Sequence, residues 1–192
     1  KLPAGWKFSN ATCDRAYIPA PNGVTSVSVV KGKTTTCTFT NTKNGYLIIE
    51  KKTGTDGDSS FAFAIDPTPS TLTLKTKNGV GSNNGKCPDG TEPKNGSCPN
   101  NDVANDKPIE LGTAKDYAIT EMLQTAGWSL KKVSCKRQNG KPTGIYEINS
   151  NRIIDVTIDA GQKTVCTFSN SKPTGGSGGG IRRDRDRLPL EQ

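Results

Sequence analysis

The stretch Ala126-Gly127-Trp128-Ser129-Leu130-Lys131-Lys132-Val133-Ser134-Cys135, closed further on by Cys166-Thr167-Phe168-Ser169-Asn170, is written twice in this chain. The other copy opens at Ala4-Gly5-Trp6, reaches its first cysteine at Cys13 and ends Cys37-Thr38-Phe39-Thr40-Asn41. In each copy the first cysteine falls seven residues after the tryptophan. A period of about 120 residues marks an array of domain-sized modules, the organisation of molecules built for reach, attachment or assembly. The repeat divides the chain. Residues 1–44 carry only the C-terminal half of the pattern, residues 45–172 carry a complete repeat, and a tail occupies 173–192.

The repeat also sorts the six cysteines. Cys13 and Cys37 stand in the contexts of Cys135 and Cys166, so the expected bridges are Cys13 to Cys37 and Cys135 to Cys166. Cys87 and Cys98 then close a local ring within a Pro- and Gly-containing loop. Pairs that each stay inside one unit point to an oxidising compartment, outside the cell or at its surface. Zinc is not expected, because there is no Cys-x-x-Cys spacing and no histidine in the chain.

Absence of histidine also removes the commonest general base and the usual activator of a nucleophile. Neither a Walker spacing nor a dinucleotide fingerprint is present. No cofactor and no external enzymatic reaction is expected. The chain has no methionine at position 1, no secretory signal pattern and no apolar run long enough to cross a bilayer, which reads as a processed or excised piece.

Alternation with a period of two runs through most of the rest. Leu47, Ile49 and Lys51 share one side of a strand pattern, Phe61, Phe63 and Ile65 the next, and Leu72 and Leu74 a third. Tyr117, Ile119 and Glu121 alternate further on, followed by Ile154, Val156 and Ile158, and then Cys166, Phe168 and Asn170. Turn residues separate them: Gly54 to Gly57, Asp66-Pro67, Asn78-Gly79, Asn139-Gly140 and Ala160-Gly161. The fold class is therefore all-β, a two-sheet antiparallel sandwich. One stretch, Glu110 to Leu123, clusters Ala, Leu and Met and could form a helix instead. In the N-terminal unit, Val27 to Val30 and Thr36 to Phe39 read as strands.

Two charged residues break the pattern that locates them. Lys51 is in phase with Leu47 and Ile49, and Glu121 is in phase with Tyr117 and Ile119, on sides that should be apolar. A slip of one residue would turn Lys52 inward instead. Gly45-x-Leu47-x-Ile49-x-Lys51, Tyr117-x-Ile119-x-Glu121 before Gly127-Trp128, and Thr167-Phe168-Ser169-Asn170 together resemble the Cna B-type, or SpaA-like, prealbumin-fold domains of bacterial surface proteins and pilins. The resemblance covers 45–172 in full and 1–44 as the C-terminal half of such a domain. It implies a Greek-key β-sandwich and a self-catalysed isopeptide bond, with Lys51 as nucleophile, Asn170 as the acceptor amide and Glu121 as proton shuttle. Burial would lower the lysine pKa and raise that of the carboxyl group, favouring the neutral pair that such a step uses. An ordinary Lys-Glu ion pair beside a strand-end asparagine fits the same residues. Cysteines beside the isopeptide set, and Gly-Trp where many members have Pro-Gly-Tyr, depart from the commonest pilin pattern.

Residues 75–110 form an Asn-, Gly-, Lys-, Asp- and Pro-rich insert that the Cys87 to Cys98 ring would pin. Asp89, Asp102 and Asp106, with Asp56 and Asp58, are of a residue type that could hold a calcium ion. They lack the run of alternating acidic residues with a closing glutamate, so no metal is assigned. Net charge of +8 favours anionic surfaces such as a cell-wall or matrix polymer. Scattered lysines and few aromatics argue against specific nucleic-acid recognition. In the tail, Gly175 to Gly180 reads as a flexible linker before alternating Arg and Asp.

The function expected is an extracellular structural module of a bacterial surface protein or fibre, a stalk, pilus or adhesive filament. Its partners would be neighbouring repeats or other copies of the protein, and residues 1–44 would be completed either by preceding sequence of a longer array or by strand complementation from another subunit. The alternative is an adhesin module that recognises a glycan or host protein through the 75–110 insert.

Overall fold

The computed structural model describes residues 2–54, 59–87, 91–92, 94, 107–122 and 127–172. The N-terminal unit holds β1 (Trp6–Cys13), β2 (Ile18–Ala20), β3 (Gly23–Thr25) and β4 (Cys37–Lys43). The larger unit follows with β5 (Gly45–Lys52), β6 (Ser60–Asp66), β7 (Ser70–Lys75), β8 (Val80–Ser82), β9 (Ile109–Leu111), β10 (Ala114–Glu121) and β11 (Ser129–Arg137). Then come β12 (Pro142–Thr143), β13 (Ile145–Glu147), β14 (Arg152–Ile158) and β15 (Lys163–Ser171). No α-helix occurs among the described residues.

Strands β5 to β15 build a β-sandwich. One sheet runs β13-β14-β10-β6-β7, the other β12-β11-β15-β5-β8, with β9 also on the edge of β5. Alternation decides which side chains meet between them: Phe61, Phe63 and Ile65 from β6, Leu72 and Leu74 from β7, Leu47 and Ile49 from β5, and Cys166 and Phe168 from β15 are all buried. Phe63 meets Phe168 edge to face at 5.0 Å between ring centres, and Phe61 meets Trp128 likewise at 6.0 Å. One strand pair departs from antiparallel order. First strand β5 and last strand β15 run parallel, with Cys166 opposite Ile49 and Phe168 opposite Lys51. A parallel pair must be joined by a long crossover, and here nearly the whole repeat is that crossover.

One residue joins the units along the chain. β4 ends at Lys43, β5 begins at Gly45, and Asn44 between them is held on several sides. Its N–H donates to Gly5 O at 2.7 Å, its carbonyl accepts from Gly161 N at 2.9 Å, and its side-chain amide donates to Glu110 Oε1 at 2.9 Å. Gly45 cannot carry a side chain here, because a β-carbon would run into the carbonyl of Asp159 and the side chain of Ile158.

The N-terminal unit repeats the back of the sandwich in register. β1 pairs with β4 so that Phe8 faces Asn41, Ala11 faces Phe39 and Cys13 faces Cys37. β11 pairs with β15 so that Leu130 faces Asn170, Val133 faces Phe168 and Cys135 faces Cys166. Both pairs carry a bulge at the same step, after Phe8 and after Leu130. The bridges Cys13–Cys37 and Cys135–Cys166 are formed. Cys87 is disulfide-bonded as well, and Cys98 lies outside the described residues.

Several expectations change. The stretch from Glu110 forms the end of β9 and all of β10 rather than a helix, because β10 pairs along its two edges with β14 and β6 while Tyr117 and Ile119 are buried in the core. Val27 to Val30 is not a strand. It aligns with the part of β14 around Val156 to Ile158, but β14 pairs with β10 and no such partner stands beside Val27 to Val30 among the described residues. Within β14 the inward residue is Ile153 rather than Ile154, because a bulge shifts the register and Asp155 takes a left-handed backbone at φ 55°. The insert at 75–110 is not loop throughout, since β8 lies within it and pairs with the end of β5.

Candidate functional site

Three strands bring three polar side chains to one point between the sheets. Phase along β5 sets Lys51 inward, fully buried, while Lys52 is exposed. Glu121 enters from the end of β10 in the opposite sheet, its backbone N–H donating to Asn151 O at 3.0 Å. Asn170 comes from β15, two positions beyond Phe168 on the same buried side. The parallel pairing of β5 and β15 is what places Lys51 and Asn170 at the same end of their strands.

The carboxylate of Glu121 spans the other two groups. Lys51 Nζ donates to Glu121 Oε2 at 2.9 Å, and Asn170 Nδ2 donates to Glu121 Oε1 at 2.6 Å. The Phe61 ring lies against the amine, with Nζ 4.4 Å from the ring centre. Burial pushes the Lys51 pKa down to about 8, and the charge and hydrogen bond of Glu121 only partly oppose that. The Tyr146 phenol, packed on the same core, is pushed up by burial and then by the negative charge of Glu121.

Such a cluster can transfer an acyl group with one carboxylate serving both ends. Oε2 is placed to take a proton from the amine, and Oε1 is placed to return one to the amide nitrogen. Exclusion of water and fixed approach of the reacting groups supply the orientation that a free amine and amide lack in solution.

Phe61 and Asn83 have roles here that alternation did not single out. Phe61 reads as ordinary core. Asn83 is buried just past β8, where Ser82-Asn83-Asn84-Gly85 reads as a turn. Its Oδ1 accepts from Ile49 N at 2.7 Å and its Nδ2 donates to Leu47 O at 3.3 Å. That side chain fills the gap between β8, which pairs with Glu50 to Lys52, and β9, which pairs with Gly45 to Leu47. The calcium candidates Asp56, Asp58, Asp89, Asp102 and Asp106 lie outside the described residues, as does the tail 173–192.

A family profile described as a prealbumin-like fold domain matches residues 47–172. Two solved structures of the major pilin from Streptococcus pyogenes, one of them a mutant, are similar to this chain at 13% identity. Their TM-scores are 0.37 for the mutant and 0.34 for the other, and in each case 90% of this chain and 66% of the pilin chain are covered. No curated protein matches the sequence.

Proposed function

Because the chain belongs to the prealbumin-like fold domain family across residues 47–172, we propose that it is an extracellular structural module of a surface protein or fibre, closed by a covalent bond between Lys51 and Asn170. The buried Lys51-Glu121-Asn170 cluster carries this reading. A charged amine and a carboxylate taken out of water cost several kcal/mol each, on the order of what a whole small domain has to spare. Conversion to an amide removes that penalty.

The step balances without any outside reagent. Lys51 gives a proton to Glu121, and its Nζ attacks Cγ of Asn170. The Cγ–Nδ2 bond then breaks, and the nitrogen leaves as ammonia with the proton that Glu121 held, while Glu121 takes the second proton that Nζ sheds and ends as the neutral acid. One amide replaces another, and nothing is oxidised or reduced.

Two further features suit a load-bearing or protease-exposed setting outside the cell. Disulfides tie β1 to β4 and β11 to β15, which fits an oxidising compartment. The one-residue joint at Asn44, gripped from both sides, suits repeats strung in line. In this reading residues 1–44 are the C-terminal half of a further repeat of the same kind.

Intact mass of the reduced chain tests the bond. The folded protein is expected to lack the mass of one ammonia. Lys51→Ala and Asn170→Ala each restore the full mass, and Glu121→Gln restores it in part or whole by slowing the step. A wild-type chain at its unmodified mass rejects the proposal and leaves a buried ion pair.

A further inference from the structure

The sheet that carries Lys51 on its inner face has an outer face set by the same alternation. On β5 Lys51 is buried, so Glu50 and Lys52 turn outward. On β15 Cys166 and Phe168 are buried, and Val165, Thr167 and Ser169 occupy the opposite side. On β11 Val133 and Cys135 are buried, and Lys132, Ser134 and Lys136 face out. Register lines these up in rows across the three strands. Lys132 stands opposite Ser169, which stands opposite Lys52; Ser134 stands opposite Thr167, which stands opposite Glu50; Lys136 stands opposite Val165.

Short side chains thus run down the middle strand while lysines rise on both sides, and the result is a groove of about 390 Å³. Lys52, Lys132 and Lys136 are exposed, and among the described residues none of the three is in an ion pair. Glu50 is the one acid among the described residues that line the groove, and its Oε2 accepts from Thr167 Oγ1 at 2.9 Å. Charges of one sign gathered along a cleft focus an attractive field on an anion.

The fold does not require this charge. The N-terminal copy of the same two strands has Asn10, Thr12 and Asp14 in the places of Lys132, Ser134 and Lys136, and Thr38 and Thr40 in the places of Thr167 and Ser169. Hydroxyls recur and the lysines do not. At the place of Lys136 the sign is reversed.

Three charges so arranged suit an extended ligand. Lys132 and Lys136 lie about 13 Å apart along β11, and Lys52 lies two strands across from Lys132, about 10 Å away. A single small anion meets one or two of these ammonium groups; a chain with repeated anions meets all three. Between them the hydroxyls of Ser134 and Ser169 can give and accept hydrogen bonds with hydroxyls on the ligand. No aromatic side chain lines the groove among the described residues, so nucleobases would find no surface to stack on.

We infer that this outer face binds a linear, hydroxyl-bearing polymer with repeated anions, an acidic polysaccharide or a polyol phosphate chain, laid along β15 with its charges against Lys52, Lys132 and Lys136. The site stands whether or not the Lys51–Asn170 bond forms, because those side chains lie on the other face of the sheet.

Titration of the full chain with an oligogalacturonate, with a glycerol phosphate oligomer, and with polyglutamate as a polyanion without hydroxyls tests this. At least one of the first two should bind, more weakly as salt rises, and the tighter of them identifies the anion. The triple variant Lys52→Gln, Lys132→Gln, Lys136→Gln should weaken that binding about tenfold, which three exposed charge contacts together can supply. The same change of net charge made away from the groove, Lys31→Gln with Lys33→Gln and Lys75→Gln, should leave it nearly unchanged. Glu50→Gln keeps an acceptor for Thr167 and removes the one repulsive charge, so it should tighten binding, a result that a damaged fold would not give. The inference is overturned if neither hydroxyl-bearing polymer binds, if polyglutamate binds as tightly as they do, if the two triple variants lose equally, or if Glu50→Gln weakens binding.

Discussion

Lys51 sits where its charge is least welcome, and in the proposed bond that would be the source of its reactivity. Water stabilises an ammonium by far more than one carboxylate and a ring face replace, so burial draws the pKa from 10.5 down to about 8. The neutral amine is the nucleophile, so bond formation should accelerate as pH rises toward 8 and level off above it. A time course of ammonia loss after refolding at graded pH would read this, and a rate that is flat or falls across that range would contradict it. The same shift has a stability consequence in Asn170→Ala, where Lys51 stays free. Between about pH 8 and 10.5 the unfolded chain holds a proton that the folded chain has released. Stability of that variant should therefore rise with pH through this window and flatten beyond it. Denaturant titrations at pH 7.5, 9 and 10.5, taken as roughly spaced points across the shift, would show it, and a fall over that span would be incompatible with a depressed lysine.

At the scale of elements, β5 is the strand on which the sandwich depends, because both halves of its outer edge are taken by different partners. β9 covers its start and β8 its end. Between them Asn83 stands in for a strand. Asn83→Ala would leave Ile49 N–H and Leu47 C=O buried without their side-chain partner, at a cost of about 1–3 kcal/mol. Asn83→Asp keeps an acceptor for Ile49 N–H but offers no donor to Leu47 O, and should destabilise as well. Denaturant unfolding of both variants checks this, and wild-type midpoints would show that water replaces the amide. How far this was legible follows from the same residues. Alternation found the core of β5, β6, β7 and β10, and it found Lys51 and Glu121 because a charge in an apolar phase contradicts its neighbours. Asn170 was legible only through the repeat and the family resemblance, since an asparagine at a strand end is unremarkable by itself. The bulge at Asp155 was hidden because Ile153 and Ile154 are both apolar, so either phase looks acceptable. Asn83 was hidden because its role is to satisfy backbone groups, which leave no mark on the pattern of side chains. Val27 to Val30 misled for the opposite reason: the residues are those of a strand, but a strand needs a neighbour.

For the whole molecule, two equivalent phenylalanines differ in burial: Phe168 is enclosed by the sandwich and Phe39 lies at the surface of the N-terminal unit. The two phenylalanines share a sequence context, a facing residue in the adjacent strand and a disulfide two positions back. They differ in what lies over them. In the proposed array, load entering at Gly45 would pass along β5 to Lys51, cross to Asn170 and leave at Ser171, so the finished repeat carries tension without unravelling β6 to β14. Phe168→Ala should therefore cost about 3–5 kcal/mol, the usual range for emptying a buried aromatic site. Phe39→Ala in the isolated chain should stay within about 0.5 kcal/mol, as at an ordinary surface position. Unfolding is best followed in the Asn170→Ala background, where no covalent tie masks the difference. Equal costs for the two substitutions in that background would mean that the sandwich does not depend on the contact between Phe63 and Phe168.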